Sequence, residues 1–213
     1  MDIAVLLFDR LTALDAIGPY EVLQRLPGVE VRFVAVERGP VRTEQGMLAL
    51  VADYARDEVT SADILVVPGG IGTRPLVDDE PTLDWIRGID AGSEWTTSVC
   101  TGSLLLGAAG LLEGKEATTH WRVLDRLADF GATPVTRRVV EQGKVITAAG
   151  VSSGIDMALT LAARVAGDEI AQAIQLGIEY DPQPPFDSGS VAKASESVYN
   201  LALAGLANAD VKR

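Results

Sequence analysis

The 213-residue sequence predicts an α/β fold. More specifically, it predicts a three-layer sandwich with a mostly parallel sheet and helices on both faces. Two observations carry this. Short β-branched runs alternate along the chain with segments of helical pattern, as parallel strands joined by helical crossovers require. The run IAVLLF (Ile3–Phe8) is continuously apolar, and ILVV closes the buried strand that begins at Ala62, the mark of strands covered on both faces. Hydrophobic residues make up 47% of the chain, enough to bury a core in one domain spanning residues 1–213.

Ile3–Phe8 is the first strand. LDAIGPYEVLQRL follows as a helix, with Asp15 near its start and Pro19 in its first turn. Val29–Val36 is the second strand. VRTEQGMLALVADYA reads as an excursion of shorter strands around a turn at Gly46. Ala62–Gly70 is a buried strand that ends abruptly in Pro68-Gly69-Gly70. A helix over Pro81–Asp90 comes next, with Asp78, Asp79 and Glu80 as its solvated start. Trp95–Val99 is a strand, and TGSLLLGAAGLL is a helix by its small and Leu-rich content. RVLDRLADFGA predicts an amphipathic helix, with Val123, Leu124, Leu127 and Ala128 at helical spacing. Lys144–Gly150 is a further strand, followed by helices over SSGIDMALTLAARVAG and EIAQAIQLGIEY. DPQPPFDSGS (Asp181–Ser190) is proline-rich and extended, a linker or a surface strap before a last helix.

Charge narrows the function. Eighteen Lys and Arg stand against 30 Asp and Glu, a net charge of −12 that repels phosphate backbones, so nucleic acid is not an expected partner. No apolar run approaches the roughly 20 residues of a membrane helix, and Gly107 and Gly110 interrupt the longest one. The first residues read as a strand, not a signal peptide. A lone cysteine forms no internal disulfide and fits the reducing cytoplasm. One cysteine and one histidine do not make a conventional metal cluster, and no metal or other cofactor is expected.

In open α/β sheets, ligands bind beyond the carboxyl ends of the strands. Three strands bring chemistry to that edge: the first leads to Asp15, Ile64–Val67 to Pro68-Gly69-Gly70, and Trp95–Val99 to Cys100. SVCTGS passes from strand to helix with no loop to spare, like a nucleophile elbow, and Thr101, Gly102 and Ser103 are small enough to permit it. A helix N-terminus favours an anion, so the thiol pKa is expected to be lowered. The other reading of Cys100 is a buried small hydrophobe. By spacing alone Asp15 reads as a helix cap; Gly69 and Gly70 read either as a simple turn or, after a buried strand, as a place of close backbone approach to a ligand.

PGG after a strand, SVCTGSLLLGAAGLLEGKEATTHW and YDPQPPF together resemble the ThiJ/PfpI superfamily of the class I glutamine amidotransferase-like (flavodoxin-like) fold. Within it, the pattern is most similar to the isocyanide (isonitrile) hydratases. The resemblance runs from LDAIGPYEVL to QPPFDSGS. It implies a reactive Cys100 at the elbow, Asp15 as its acidic partner, and Thr101 in the position after the cysteine. It also implies an anion-stabilising pair of backbone amides at Gly70 and Thr101. Protease-like members carry histidine directly after the cysteine, and this chain does not. The resemblance further implies a small-molecule substrate and a homodimer.

The implied chemistry is hydration of an organic isocyanide to an N-formamide through a Cys100 thioimidate, with Asp15 as general acid and then base. Other readings of the superfamily are a ligand- or redox-sensing module and a glyoxalase- or hydrolase-type activity. Regulator relatives add a DNA-binding helix-turn-helix, for which the residues after Tyr199 leave no room. Two departures from the hydratase pattern stand out: Ile17 where threonine precedes Gly-Pro, and Ala148 and Ala149 where glycine is expected. His120 is read either as a support near the thiol or as a hydrogen-bonded structural imidazole, and not as a catalytic group.

Overall fold

A computed structural model describes residues 1–211, with side-chain burial described through Leu206. The chain divides into two compact units, Met1–Ile178 and Glu179–Arg213. In the first, the strands are β1 (Asp2–Leu6), β2 (Glu30–Ala35), β3 (Gly39–Arg42), β4 (Ala49–Ala52), β5 (Tyr54–Ala55), β6 (Ile64–Val67) and β7 (Trp95–Val99). After them come β8 (Glu116–Ala117), β9 (Thr133–Pro134), β10 (Val139–Gln142) and β11 (Val145–Ala148). The helices of this unit are α1 (Ala13–Leu23), α2 (Thr73–Leu76), α3 (Glu80–Gly92), α4 (Gly102–Ala108), α5 (Ser153–Ala166) and α6 (Asp168–Gly177). The second unit holds the exposed Asp181–Ser190 stretch and α7 (Glu196–Val211).

Seven strands form the main sheet in the order β10-β11-β7-β6-β1-β2-β5. All pairings are parallel except β10 with β11. The crossover from β1 to β2 runs one way along the sheet, and those from β6 to β7 and β7 to β11 run the other. Right-handed crossovers therefore place α1 on one face, and α3 and α4 on the opposite one. α5 packs on α1, and α6 packs on α5. The strand order reverses beside β1 and β6, the switch point where such sheets open a ligand crevice. Ile3, Val5, Ile64, Val66 and Val67 are buried between the layers, as the apolar runs predicted.

α1 and α5 approach closely through glycines. A methyl group added at Gly154 would sit 3.2 Å from the Pro19 ring, and one at Gly18 would sit 3.2 Å from Ile155. Pro19 lies in the middle of α1, not in its first turn as expected, because the helix begins at Ala13. A proline there donates no hydrogen bond to the carbonyl four residues earlier, that of Asp15. The loss is tolerated because the ring is wanted for packing against Gly154.

Three further differences have physical causes. The segment Trp121–Phe130 is 3₁₀, with a kink at Val123. Leu124, Leu127 and Phe130 recur every third residue, a spacing that a 3₁₀ helix eclipses onto one face and that a helical period does not separate from it. α4 stops at Ala108 because Gly110 is left-handed, at φ +81°. β10, an antiparallel edge strand, was not predicted: Val139–Gln142 is short and half polar, and the left-handed Gly143 turns it into β11.

Candidate active site

Asp15 is the third residue of α1, fully buried, and it does not cap the helix; Thr12 holds that position without a side-chain bond. The backbone path instead points the carboxyl toward the ends of β6 and β7. Asp15 Oδ2 accepts the Gly69 amide at 3.0 Å. Oδ1 is buried with no hydrogen-bond partner among the described residues. The Cys100 thiol interacts with this carboxyl. A buried carboxyl oxygen without a fixed partner is costly, and it persists where chemistry uses it.

Cys100 stands directly after β7 with φ +56°, a left-handed conformation that costs a non-glycine residue about 1–3 kcal/mol. The surroundings hold it there. Its amide donates to the carbonyls of Ala149 at 2.8 Å and Ala148 at 3.1 Å, at the end of β11. Its carbonyl accepts the hydroxyls of Thr119 at 2.6 Å and Ser103 at 3.0 Å. Ser103 also donates to the Thr118 carbonyl, and the Thr118 amide donates to Thr147, so a layer of buried hydroxyls lies beneath the elbow. Close passage of the chain demands glycine next to it. A methyl at Gly102 would fall 2.1 Å from the Val67 carbonyl oxygen.

The Pro68-Gly69-Gly70 loop closes the site. A methyl at Gly69 would lie 2.5 Å from the Thr101 nitrogen and 2.9 Å from Asp15 Oδ2. We expect Gly69→Ala to displace both groups, lowering stability by about 2 kcal/mol and catalytic turnover by about 100-fold, as chemical denaturation and steady-state assays would measure. Gly70 has φ +132° and is equally enclosed by Arg10, Leu11 and Thr12.

The Gly70 amide, expected to face a developing anion, instead donates to Thr101 Oγ1 at 2.8 Å. The same hydroxyl donates back to the Gly70 carbonyl at 3.1 Å. The backbone donor to the Cys100 sulfur is the Thr101 amide. All four residues singled out from the sequence, Asp15, Gly70, Cys100 and Thr101, are therefore linked at the carboxyl edge of the sheet.

Electrostatics differ from expectation in one respect. The thiol pKa is raised well above its ordinary value, chiefly by burial, then by the Asp15 carboxyl; the Thr101 amide opposes this without overcoming it. The expected lowering by a helix N-terminus is outweighed because α4 has only seven residues and the sulfur is shut away from water. Burial also pushes the Asp15 carboxyl up to about 8, with the Gly69 amide pulling down and the charge of Glu44 pushing up. At neutral pH the resting pair is mostly a carboxylic acid beside a thiol.

His120 lies apart from this pair. Its Nδ1 accepts the Arg122 amide at 3.3 Å, which leaves the ring proton on Nε2 when neutral. Burial, followed by the charge of Arg122, lowers its pKa. Its ring borders Gly150, where an added methyl would be 3.3 Å from Cδ2.

Sequence reasoning missed two contributors. The carbonyls of Ala148 and Ala149 hold the elbow amide, and the strand end that supplies them was legible while their partner was not. Glu44 faces the site from the turn between β3 and β4, with Oε1 accepting the Ile71 amide at 3.0 Å. Nothing in a short polar turn distinguishes it from a solvated glutamate.

This buried cysteine elbow, acid partner and glycine loop, set at the switch point of a parallel sheet, define a class. The model of the DJ-1/PfpI family matches residues 1–164, and the chain belongs to that family. It is 48% identical over 202 residues to the isonitrile hydratase of Pseudomonas putida, covering 95% of this chain and 88% of that protein. It is 32% identical to the HTH-type transcriptional regulator CdhR of Pseudomonas aeruginosa, over 73% of this chain and 47% of the regulator. Among solved structures, a ThiJ/PfpI family protein from Pseudomonas syringae superposes with a TM-score of 0.93 at 38% identity, covering 97% of this chain and 86% of that one.

Proposed function

We propose that the protein hydrates an organic isocyanide to an N-formamide, with Cys100 as nucleophile and Asp15 as general acid and base. The observation that carries this is the buried Asp15–Cys100 pair, with one carboxyl oxygen committed to Gly69 and the other left for a mobile proton. The 48% identity to an isonitrile hydratase supports the substrate class.

The reaction adds water to R–N≡C and gives R–NH–CHO. The reactive form of the pair holds one proton between sulfur and carboxyl. With the proton on Asp15, the Cys100 thiolate attacks the terminal isocyanide carbon and forms the C–S bond. That carbon then takes the Asp15 proton and becomes the C–H of a thioimidate, R–N=CH–S–Cys. The Asp15 carboxylate next removes a proton from water and passes it to the nitrogen, while the hydroxide adds to the same carbon. Collapse of the tetrahedral adduct breaks the C–S bond, releases the formamide and returns the proton to the pair. Every atom comes from substrate and water, so the chemistry requires no redox or group-transfer cofactor.

In this scheme Thr101 orients the substrate or water through its hydroxyl and holds the Cys100 sulfur through its amide. Gly70 contributes by fixing that hydroxyl. Thr101→Val leaves the buried Gly70 amide without its acceptor. We expect a stability loss of about 1–3 kcal/mol together with a lower kcat, read by thermal melts and steady-state kinetics.

Because the pair titrates together, kcat/KM should rise with pH and level off near pH 8, where the first proton leaves. The direct test of the function is incubation with a simple aryl isocyanide, following formamide by chromatography. No formamide from the wild-type protein would overturn it. A protonated, enclosed thiol is poorly disposed to peroxide sensing, since oxidation follows thiolate character and exposure. Family resemblance supports a cytoplasmic homodimer, which sizing chromatography would test; among the described residues no helix is long and apolar enough to cross a membrane.

A further inference from the structure

Glu44 belongs to no part of the mechanism above, yet the backbone brings it to the site with some care. The Arg10 amide donates to the Arg42 carbonyl at 2.7 Å, and the Glu44 amide donates to the Leu11 carbonyl at 3.1 Å. Leu11 and Thr43 form an isolated parallel bridge. The turn after β3 is thereby stitched to the loop that leads from β1 into Asp15. The Glu44 side chain is half-buried and binds the amide of Ile71. That residue directly follows Gly70, whose amide holds Thr101, and Gly69, whose amide holds Asp15. One carboxylate thus spans the two loops that frame the Cys100 sulfur.

We propose that Glu44 is a specificity-determining residue that discriminates against anionic molecules at Cys100, so that the site takes neutral isocyanides in preference to carboxylate- or phosphate-bearing ones. The substrate half of this statement rests on the hydratase reading; the charge discrimination does not.

The groups acting electrostatically on the thiol are Asp15 and Glu44, and those acting on Asp15 are Cys100 and Glu44. His120, which borders Gly150, has its pKa lowered by burial and then by the charge of Arg122, which disfavours a compensating positive charge there. Beside a sulfur and a carboxyl that are both buried, Cys100 and Asp15, a carboxylate repels an approaching anion more strongly than it would in water. A neutral isocyanide meets no such barrier. The same charge opposes formation of thiolate before substrate arrives, and a thiol of higher pKa is the stronger nucleophile once ionised.

The test uses alkylation of Cys100, the sole cysteine, and requires no hydratase turnover. Rates with neutral iodoacetamide and anionic iodoacetate are measured at low ionic strength across pH, with the modified protein quantified by mass. Glu44→Gln keeps an acceptor for the Ile71 amide and removes the charge. The preference for iodoacetamide should fall by about three- to ten-fold, and the pH profile of alkylation should move to lower pH. Glu44→Asp keeps the charge and weakens the tie, so it should retain the wild-type preference.

An unchanged preference in Glu44→Gln, or equal loss in both variants, would overturn the proposal and leave Glu44 as a loop tie. If Glu44→Gln is insoluble, Glu44→Ser with the same two reagents decides the matter in the same way. Hydratase activity is assayed separately. A charge effect on alkylation without formamide production would sink the hydratase reading and keep the filter. Formamide production without a charge effect would do the reverse.

Discussion

Cys100→Ala should reduce formamide production from an aryl isocyanide by at least about a thousand-fold, because the covalent route disappears with the sulfur. Cys100→Ser should fall nearly as far. A serine hydroxyl in the same enclosed place is much harder to ionise than a thiol, and burial already opposes ionisation of the sulfur. The substitution should leave the fold in place. The elbow is held through the amide and carbonyl of residue 100, bonded to Ala148, Ala149, Ser103 and Thr119, and not through the side chain. A circular dichroism spectrum like that of the wild type, together with background turnover, is the expected pairing. Full turnover by Cys100→Ala would rule out the thioimidate. Incubating wild-type protein with isocyanide and quenching in acid should also trap a Cys100 adduct by mass, absent in the variant.

The elements that frame this site were legible for a simple reason. Ile3–Phe8 and Ile64–Val67 are buried runs, and a buried parallel strand writes itself into the sequence as an apolar run. Trp95–Val99 is nearly as enclosed but polar at Thr96, Thr97 and Ser98, so its strand character rests on β-branched residues instead. The abrupt changes after them, PGG and CTGS, mark where the backbone must pass close to its neighbours. The clearances at Gly69 and Gly102 show why no side chain is tolerated there. What was not legible depends on distance through space. The partner of the Cys100 amide is a strand end some 50 residues on, and β11 looks like any other strand until the sheet order places it beside β7. The state of the thiol was misread because helix position was visible while enclosure was not; desolvation is a property of the assembled core. Glu44 was invisible for the same reason: its turn is polar and short, and only the pairing of Leu11 with Thr43 brings it to the loops around the sulfur.

Asp15→Asn separates the two jobs that the carboxyl does. The amide keeps an oxygen for the Gly69 donor, so the loop geometry is retained. Proton transfer is lost, and turnover should fall by about 10²–10⁴-fold. The thiol, meanwhile, loses a neighbouring group whose charge pushes its pKa up, so thiolate should appear at lower pH than in the wild type. A variant with more thiolate and far less catalysis is the signature of a missing acid and base; a merely distorted site would not gain thiolate. Stability supplies an independent readout. The Asp15 pKa is raised from an ordinary value near 3.8 to about 8 in the folded protein. Between those values the folded state binds the extra proton, so its stabilising contribution is complete below pH 4 and is lost as pH rises toward and through 8. At pH 9 the wild type carries a buried carboxylate that asparagine does not, a difference on the order of 5 kcal/mol. Asp15→Asn should therefore melt well above the wild type at pH 9 and close to it at pH 4. Equal melting temperatures across that range would show that Asp15 is ionised at neutral pH, and a carboxyl already stripped of its proton could not load the acid step on which the hydration scheme depends.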